Sequence, residues 1–264
     1  MSLTAILLAA GYATRLYPLT TDRPKALLPL GDGVILDEIY GAVAPSSGFI
    51  TKVILITNRR FAQPFQRWAG DRGADAVVID DGTTSADTRL GAIRDLALAM
   101  TQGRAQGDLL VVGTDNLWTW DLREFIAAAQ RRRPHPSVAF WRAPSREAAV
   151  QFGVGILDAD GRVTGFVEKS PTPPSELVAT CIYYFPKAMH PRIREFLDEG
   201  QNADAPGYFI TWLIERTAVY GVVMPGLWYD IGTMAAYEAV RNVWSTTPEP
   251  GPRVDFRQGA PGGA

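Results

Sequence analysis

The chain has 264 residues, and its 26 lysines and arginines against 28 aspartates and glutamates give a formal net charge of -2. This balance excludes the basic surface of a nucleic-acid-binding protein, and a composition of 47% hydrophobic and 20% charged residues excludes a disordered chain. The single cysteine, Cys181, excludes an internal disulfide and fits a reducing compartment. No basic flank marks a signal peptide and no apolar run nears the roughly 20 residues that span a bilayer, so we expect a cytoplasmic protein without a membrane partner.

The first half of the chain alternates short apolar runs with helix-length segments. The runs are Thr4 to Ala10, Lys52 to Thr57, Ala76 to Ile79 and Leu109 to Gly113. Between them apolar residues recur with helical spacing, as in Ile35, Leu36, Ile39 and Tyr40. This alternation predicts βαβ units, and therefore an α/β fold with a Rossmann-like, mainly parallel sheet flanked by helices.

The second half predicts a more antiparallel, mixed arrangement. Its apolar runs are Ser137 to Trp141, Gly153 to Leu157, Val163 to Glu168, Leu177 to Tyr184 and Val219 to Met224. Helical patterns cover Lys187 to Glu199, Gly207 to Arg216 and Met234 to Trp244. We expect a single domain over residues 1–245, with halves that meet near residue 130, and a disordered Pro/Gly-rich tail over residues 246–264.

The clearest chemical signal is the loop after the first predicted strand. It reads Leu8-Ala9-Ala10-Gly11-Tyr12-Ala13-Thr14-Arg15-Leu16 and continues to Arg23-Pro24-Lys25. Small residues let backbone N–H groups approach a phosphate chain that larger side chains would block. Arginine binds phosphate through paired hydrogen bonds and lysine acts as a mobile point charge, so Arg15 and Lys25 suit a triphosphate. The alternative is an ordinary strand and turn with two solvated cations.

A second signal is the acidic residue Asp115, which follows the apolar run that ends at Gly113. Ligands of open α/β sheets bind at the carboxyl ends of parallel strands, and carboxylate oxygen suits Mg²⁺. Asp115 is therefore a candidate metal ligand. The alternative is a turn or a cap for a helix from Leu117 to Ile126.

These segments resemble the signature of the sugar-nucleotide pyrophosphorylases, the NTP-transferase family that includes glucose-1-phosphate thymidylyl- and uridylyltransferases. The resemblance implies that the first half binds the nucleotide, with contacts from Leu8, Ala10, Gly11, Thr14 and Arg15, and that Arg15 and Lys25 are the catalytic cations. Ala10 and Ala13 stand where the family often has glycine.

The segment Trp228-Tyr229-Asp230-Ile231-Gly232-Thr233 is similar to the Trp-x-Asp-x-Gly-Thr segment of the family. This similarity implies that Asp230 is a second metal ligand beside Asp115, with Mg²⁺ as the cofactor. The alternative roles, a helix cap at Thr233 and a core position for Trp228, are compatible with metal binding.

The resemblance also implies an acceptor site in the second half, where the strand at Gly153 and the corner at Glu168 and Lys169 hold a sugar phosphate. Thr180 is implied to line the same pocket, and the next residue, Cys181, stands where the family has glycine. Without the resemblance, Glu168 and Lys169 would be assigned to a solvated strand end and Thr180 to a buried strand.

Recognition of the base is the part of the family pattern that this chain does not match. At the corresponding position stands Asp80-Asp81-Gly82-Thr83-Thr84-Ser85-Ala86-Asp87-Thr88-Arg89-Leu90-Gly91-Ala92. Hydroxyl groups and a helix start can bind base edges or phosphate, so Thr84, Ser85 and Arg89 are candidate nucleotide ligands. The alternative is that Ser85 or Asp87 is only an N-cap.

The resemblance thus implies an enzyme that makes an NDP-sugar from an NTP and a sugar 1-phosphate, releases pyrophosphate and forms no covalent enzyme intermediate. Two alternatives stay open: a cytidylyltransferase for a non-sugar phosphate such as phosphocholine, a polyol phosphate or a phosphonate, and an inactive nucleotide-sugar-binding regulator. The expected partners are the NTP and the phosphorylated acceptor, and family members often form homo-oligomers.

Overall fold

A computed structural model describes residues 2–244, and the predicted tail lies outside the described residues. The strands are β1 (Leu3–Leu8), β2 (Pro29–Leu30), β3 (Gly33–Val34), β4 (Lys52–Thr57), β5 (Ala76–Asp80), β6 (Asp108–Gly113), β7 (Asn116–Trp118), β8 (Ser137–Arg142), β9 (Gly153–Leu157), β10 (Val163–Glu168), β11 (Leu177–Phe185), β12 (Tyr220–Val223) and β13 (Trp228–Asp230). The α-helices are α1 (Ile35–Val43), α2 (Ala62–Arg72), α3 (Ala92–Gln102), α4 (Leu122–Arg131), α5 (Arg146–Ala149), α6 (His190–Asp198), α7 (Pro206–Ile214) and α8 (Met234–Val243).

The first half builds a parallel sheet. β1 lies between β4 and β6 and is parallel to both, and β5 pairs in parallel with the outer side of β4. After β5 the chain therefore returns to the opposite side of β1 to form β6. That reversal is a topological switch point, where the strand ends leave a crevice.

The second half extends the same sheet with antiparallel pairs. β11 pairs with β6, β8 and β9, and β10 pairs with β9, all antiparallel, while β12 runs parallel to β8. The β6–β11 pair joins the two halves in one sheet. A separate two-stranded antiparallel ribbon pairs β13 with β7, which follows the end of β6 after two residues.

Side chains along the central strands point alternately to the two faces of the sheet, and a hydrophobic core lies on each face. Leu3, Ala5 and Leu7 of β1 pack on one face, whereas Ile6 packs on the other. The central strand is apolar on both faces because helices cover both. The predicted α/β fold with a mixed, mainly parallel sheet is confirmed.

Most predicted elements appear at or within two residues of their expected bounds, and Lys52 to Thr57 appears unchanged. The alternative prediction of a helix from Leu117 to Ile126 is wrong for the first residues of that range. Residues 116–118 form β7 instead, and α4 begins at Leu122 with Asp121 as its N-cap. β-Ribbon pairing with β13 outweighs the local helical pattern there. Among residues 2–244, none of the helices has the length and apolarity needed to cross a bilayer.

Candidate active site

The ends of β1 and β6 lie side by side at the switch point. Leu8 is in register with Gly113, and the Thr114 hydroxyl donates to the Leu8 carbonyl over 2.9 Å. Each strand then continues directly into candidate site residues. The small-residue loop follows Leu8, and Asp115 follows Thr114. Strand pairing thus places the loop and the carboxylate at the same crevice.

The loop after β1 is held in a tight backbone conformation. Ala13 adopts a left-handed conformation with φ of 48°, and the Thr20 hydroxyl donates to the Ala13 carbonyl over 2.8 Å. The left-handed region costs a non-glycine residue about 1 kcal/mol, which explains why glycine is favoured at this position. The loop then enters a short 3₁₀ turn that contains Arg15.

A cavity of about 290 Å³ opens beside this loop. We call it the nucleotide cavity; it is lined by Leu8, Ala9, Gly11, Tyr12, Ala13, Thr14, Arg15, Pro24, Lys25, Ala26, Phe65, Ala86, Arg89, Thr114 and Asp115. Cations from three separate chain segments, Arg15, Lys25 and Arg89, therefore surround one space together with loop backbone. This combination suits an elongated polyanion with a planar or ribose-like end.

Asp115 and Lys25 form an ion pair inside the crevice. Lys25 Nζ lies 2.9 Å from Asp115 Oδ2, and the Asn116 amide donates to Asp115 Oδ1 over 2.7 Å. Burial is the largest single influence and acts to raise the pKa of Asp115, but the charge and hydrogen bond of Lys25, the Asp115 backbone amide and the Arg15 charge together hold that pKa below the ordinary carboxyl value. Asp115 is therefore ionised at neutral pH and is a candidate oxygen ligand for a cation.

Asp230 approaches Asp115 through the β7–β13 ribbon. Asp230 is in register with Asn116, and the Ile231 amide donates to the Asp115 carbonyl over 2.8 Å. Burial, followed by the Asp115 charge, raises the pKa of Asp230 to about 6. Two carboxylates that face one cavity and repel each other are a suitable donor set for a divalent cation.

A second cavity, of about 220 Å³, adjoins the first. We call it the acceptor cavity; it is lined by Arg15, Asp115, Asn116, Gln151, Phe152, Gly153, Glu168, Lys169, Ala179, Cys181, Tyr183, Pro206, Gly207, Trp228 and Asp230. Arg15 and Asp115 line both cavities. Burial raises the pKa of the Glu168 carboxyl above its ordinary value.

Cys181 lies on the acceptor cavity in a left-handed conformation with φ of 57°. The register between β11 and β8 shifts between Ala179 and Tyr183, and the thiol lies on the strand face of these two residues, which also line the cavity. Burial raises the pKa of this thiol, which keeps it protonated and unsuited to nucleophilic attack. Like Ala13, Cys181 occupies a conformation that favours glycine.

Four of the predicted contacts do not line either cavity. Thr180 is fully buried and donates to the Ala139 carbonyl over 3.0 Å, because its side chain alternates to the opposite face from Ala179 and Cys181. The Ala10 carbonyl accepts from the Asn58 amide. Thr84 is exposed, and Ser85 is the N-cap of a short 3₁₀ turn with its hydroxyl beside Thr88.

The other predicted residues do come together at the cavities, and the structure adds further lining residues that sequence reasoning missed. Tyr183 lies two residues beyond Cys181 on the same strand face, a spacing that could have identified it. Pro206 and Gly207 carry no such signal, because they reach the acceptor cavity only through the packing of α7 on β10.

Comparisons with known proteins agree with this arrangement. The chain is 27% identical over 251 residues to a glucose-1-phosphate adenylyltransferase of Thermomicrobium roseum, covering 88% of this chain and 57% of the relative. It is 28% identical over 236 residues to a glucose-1-phosphate thymidylyltransferase of Streptomyces antibioticus, covering 88% and 63%. The chain thus spans about three fifths of the length of these two curated relatives.

A solved structure from Bacillus anthracis, provisionally assigned as a glucose-1-phosphate thymidylyltransferase and in complex with sucrose, shares the fold with a TM-score of 0.78. Identity is 20%, and the match covers 92% of this chain and 95% of that one. Residues 4–245 match the nucleotidyl transferase family, and the chain belongs to that family.

Proposed function

We propose that this protein transfers a nucleotidyl group from an NTP to a sugar 1-phosphate, forming an NDP-sugar and pyrophosphate. The observation that carries the proposal is that two adjoining cavities share Arg15 and Asp115. One cavity has the small-residue loop and cations for a triphosphate, and the other has Glu168 and Lys169 for a phosphorylated acceptor. The shared residues lie where the two substrates would meet.

In the proposed reaction, an acceptor phosphate oxygen attacks the α-phosphorus of the NTP. The bond from that phosphorus to the oxygen bridging to the β-phosphate breaks, and pyrophosphate leaves. Arg15 and Lys25 neutralise the charge that develops on the triphosphate, and Lys169 orients the acceptor phosphate. Glu168 accepts hydrogen bonds from acceptor hydroxyls. Because the attacking oxygen belongs to the acceptor, no covalent enzyme intermediate is required.

The two carboxylates of Asp115 and Asp230 would hold Mg²⁺, whose other ligands would be substrate oxygens and water. When bound, the ion supplies charge neutralisation at the phosphate oxygens. Lys25 keeps Asp115 ionised and therefore ready for a cation. The single cysteine agrees with the reducing cytoplasm as the compartment for this reaction.

The aromatic lining of the acceptor cavity favours one second candidate. Phe152, Tyr183 and Trp228 line it beside Glu168, and the Phe152 and Trp228 rings are 5.1 Å apart between centroids. Aromatic faces with a carboxylate also suit a quaternary ammonium, as in phosphocholine. The candidate reaction is then cytidylyl transfer to phosphocholine.

A substrate matrix tests both functions. ATP, CTP, GTP, UTP and dTTP are each combined with glucose 1-phosphate, mannose 1-phosphate, phosphocholine and glycerol 3-phosphate, with Mg²⁺ present, and pyrophosphate release is measured. Turnover with a sugar 1-phosphate supports the proposal, and turnover confined to CTP with phosphocholine supports the second candidate. The absence of turnover in every combination, together with nucleotide-sugar binding by calorimetry, would replace both with a regulatory role.

A further inference from the structure

The segment of residues 201–207 runs from beyond the end of α6 into the first turn of α7 and contacts residues of both cavities, and we call it the linking segment. At one end Asp204 contacts Arg89, which lines the nucleotide cavity. At the other end Pro206 and Gly207 line the acceptor cavity. One short stretch of chain therefore forms part of one wall and supports a residue of the other.

The linking segment also caps helix α3. The N-cap residue of α3, Gly91, has no side chain to accept from the first helical amides. The Ala203 carbonyl accepts from the Ile93 amide over 3.0 Å, and the Asp204 carbonyl accepts from the Ala92 amide over 3.3 Å. Gly91 has φ of 91°, and a Cβ there would lie 2.6 Å from the Ala203 oxygen. The linking segment thus replaces a local cap and is tightly docked.

The Arg89 guanidinium is fixed by two contacts. Its Nε donates to Asp204 Oδ1 over 2.8 Å, and its Nη1 donates to the Ala86 carbonyl over 3.1 Å. Within residues 2–244, Nη2 makes no hydrogen bond. The hydrogen bond from Arg89 lowers the pKa of Asp204, so the pair is charged at neutral pH. Two anchored nitrogens restrict the guanidinium and leave Nη2 as its donor for a ligand in the cavity that Arg89 lines.

The acceptor end of the linking segment is equally constrained. A Cβ at position 207 would overlap Glu168 Oε2, so the close approach of α7 to that carboxylate requires glycine. The Thr211 hydroxyl donates within α7 to the Gly207 carbonyl over 3.0 Å. Asp204 is therefore separated from Gly207 by only two residues, Ala205 and the conformationally fixed Pro206.

We infer that Asp204 is a positioning residue for nucleotide binding, which acts through Arg89 to hold one guanidinium donor toward the nucleotide and ties that donor to the wall of the acceptor cavity. This inference rests on the proposed function. In this role Asp204 contacts neither the acceptor phosphate oxygen nor the α-phosphorus, and it affects nucleotide binding only through Arg89.

The test is a double-mutant cycle on the full chain. The variants are Arg89→Ala, Asp204→Ala and the double variant, with Glu176→Ala as the matched control because Glu176 forms a similarly exposed ion pair with Arg142 elsewhere. Kinetic constants are measured with the most active NTP and acceptor of the matrix above. Asp204→Ala should raise the KM for the NTP about fivefold with kcat within about twofold, the scale expected for one exposed ion pair. In the Arg89→Ala background it should cause no further change.

Two results would overturn the inference: an NTP KM of Asp204→Ala equal to that of the Glu176→Ala control, or effects of the two substitutions that simply multiply. Asp204→Asn, which keeps the shape of the side chain, provides the same comparison if the alanine variant fails to fold. If the wild-type protein shows no turnover, the proposed function fails separately. The same cycle is then measured as equilibrium binding of ATP, CTP, GTP, UTP and dTTP.

Discussion

Asp115, like Arg15, lines both the nucleotide cavity and the acceptor cavity. Its carboxylate lies 2.9 Å from Lys25, receives the Asn116 amide and faces the cavity that also holds Asp230. Its side chain keeps 37% of its area exposed, so an incoming ligand can reach it. A carboxylate that is both ionised and accessible is suited to bind a cation.

Removal of either proposed metal ligand should therefore abolish most of the activity. Asp115→Asn and Asp230→Asn keep the side-chain shape but remove an anionic oxygen, and each should lower kcat/KM by about 100-fold or more at a fixed Mg²⁺ concentration. Pyrophosphate release measures the effect, with the exposed Asp71→Asn as the control. Normal turnover in both variants would refute the proposed metal site.

The same site predicts the outcome of metal removal. Chelation of divalent cations by EDTA should stop pyrophosphate release by the wild-type protein, and excess Mg²⁺ should restore it, since without the ion the carboxylates of Asp115 and Asp230 repel the phosphate oxygens. Calorimetric titration with Mg²⁺ alone should show weaker binding to Asp230→Asn than to wild type. Undiminished activity in EDTA would contradict the proposal.

At the scale of elements, an acidic residue that follows β5 interacts with an acidic residue of α3. Asp81 follows β5, Asp95 lies in the first turn of α3, and a carboxylate oxygen of each is buried without a hydrogen-bond partner among the described residues. Burial, followed by the charge of Asp81, raises the pKa of Asp95 to about 7. The folded protein therefore favours a proton on Asp95, which can then donate to Asp81.

This pair predicts a pH dependence of stability. Folding raises the pKa of Asp95 from 3.8 to about 7, so the protonated side chain stabilises the native state fully below pH 4. This contribution to the free energy of unfolding is lost as the pH rises toward and through 7. The free energy of unfolding should fall by on the order of 2 kcal/mol between pH 5 and pH 8 because of this group.

Urea unfolding at pH 5, 6, 7 and 8 checks the prediction. Asp95→Asn carries a permanently neutral group, so this pH-dependent loss should be absent in the variant, whereas the exposed Asp71→Asn should keep the wild-type slope. If the free energy of unfolding fell equally with pH for Asp95→Asn and wild type, Asp95 would not hold the proton.

At the scale of the whole molecule, one buried carboxylate holds the two halves together at the end of the sheet opposite the cavities. Asp108, at the start of β6, accepts from the Tyr184 hydroxyl of β11 and from the Lys187 amide over 2.9 Å, and pairs with Arg133 at 3.1 Å. It is 3% exposed. Its three partners all belong to the second half of the chain, whereas Asp108 belongs to the first.

Asp108→Ala should therefore destabilise the whole fold. Loss of a buried carboxylate that pairs with Arg133 and accepts from the Tyr184 hydroxyl and the Lys187 amide should lower the free energy of unfolding by about 3 kcal/mol. At temperatures where the variant stays folded, its KM for the NTP should match wild type, since Asp108 lies at the far end of β6. Urea unfolding with Asp160→Ala as an exposed control measures the loss, and a stability equal to the control would count against this role.

Local patterns in the sequence were sufficient to predict the strand ends at which candidate site residues lie. The loop after β1 and Asp115 after β6 each belong to a short contiguous segment, in which composition and periodicity predict the end of the strand. Strand bounds were predicted well for the same reason, because alternation and apolar runs depend on neighbours in the chain. The roles of Glu168 and Lys169, in contrast, were implied only by the family resemblance.

Contacts between distant segments were decided only by the tertiary structure. Alternation along β11 places Cys181 rather than Thr180 on the face that borders the acceptor cavity, and only the folded sheet decides which face of the strand that is. The pairing of β7 with β13 brought Asp230 to Asp115, and the docking of residues 201–207 on α3 brought Asp204 to Arg89. Sequence by itself determined the candidate groups for phosphate and metal binding, while long-range packing determined which of them meet, because register and docking depend on surfaces that form only when the chain is folded.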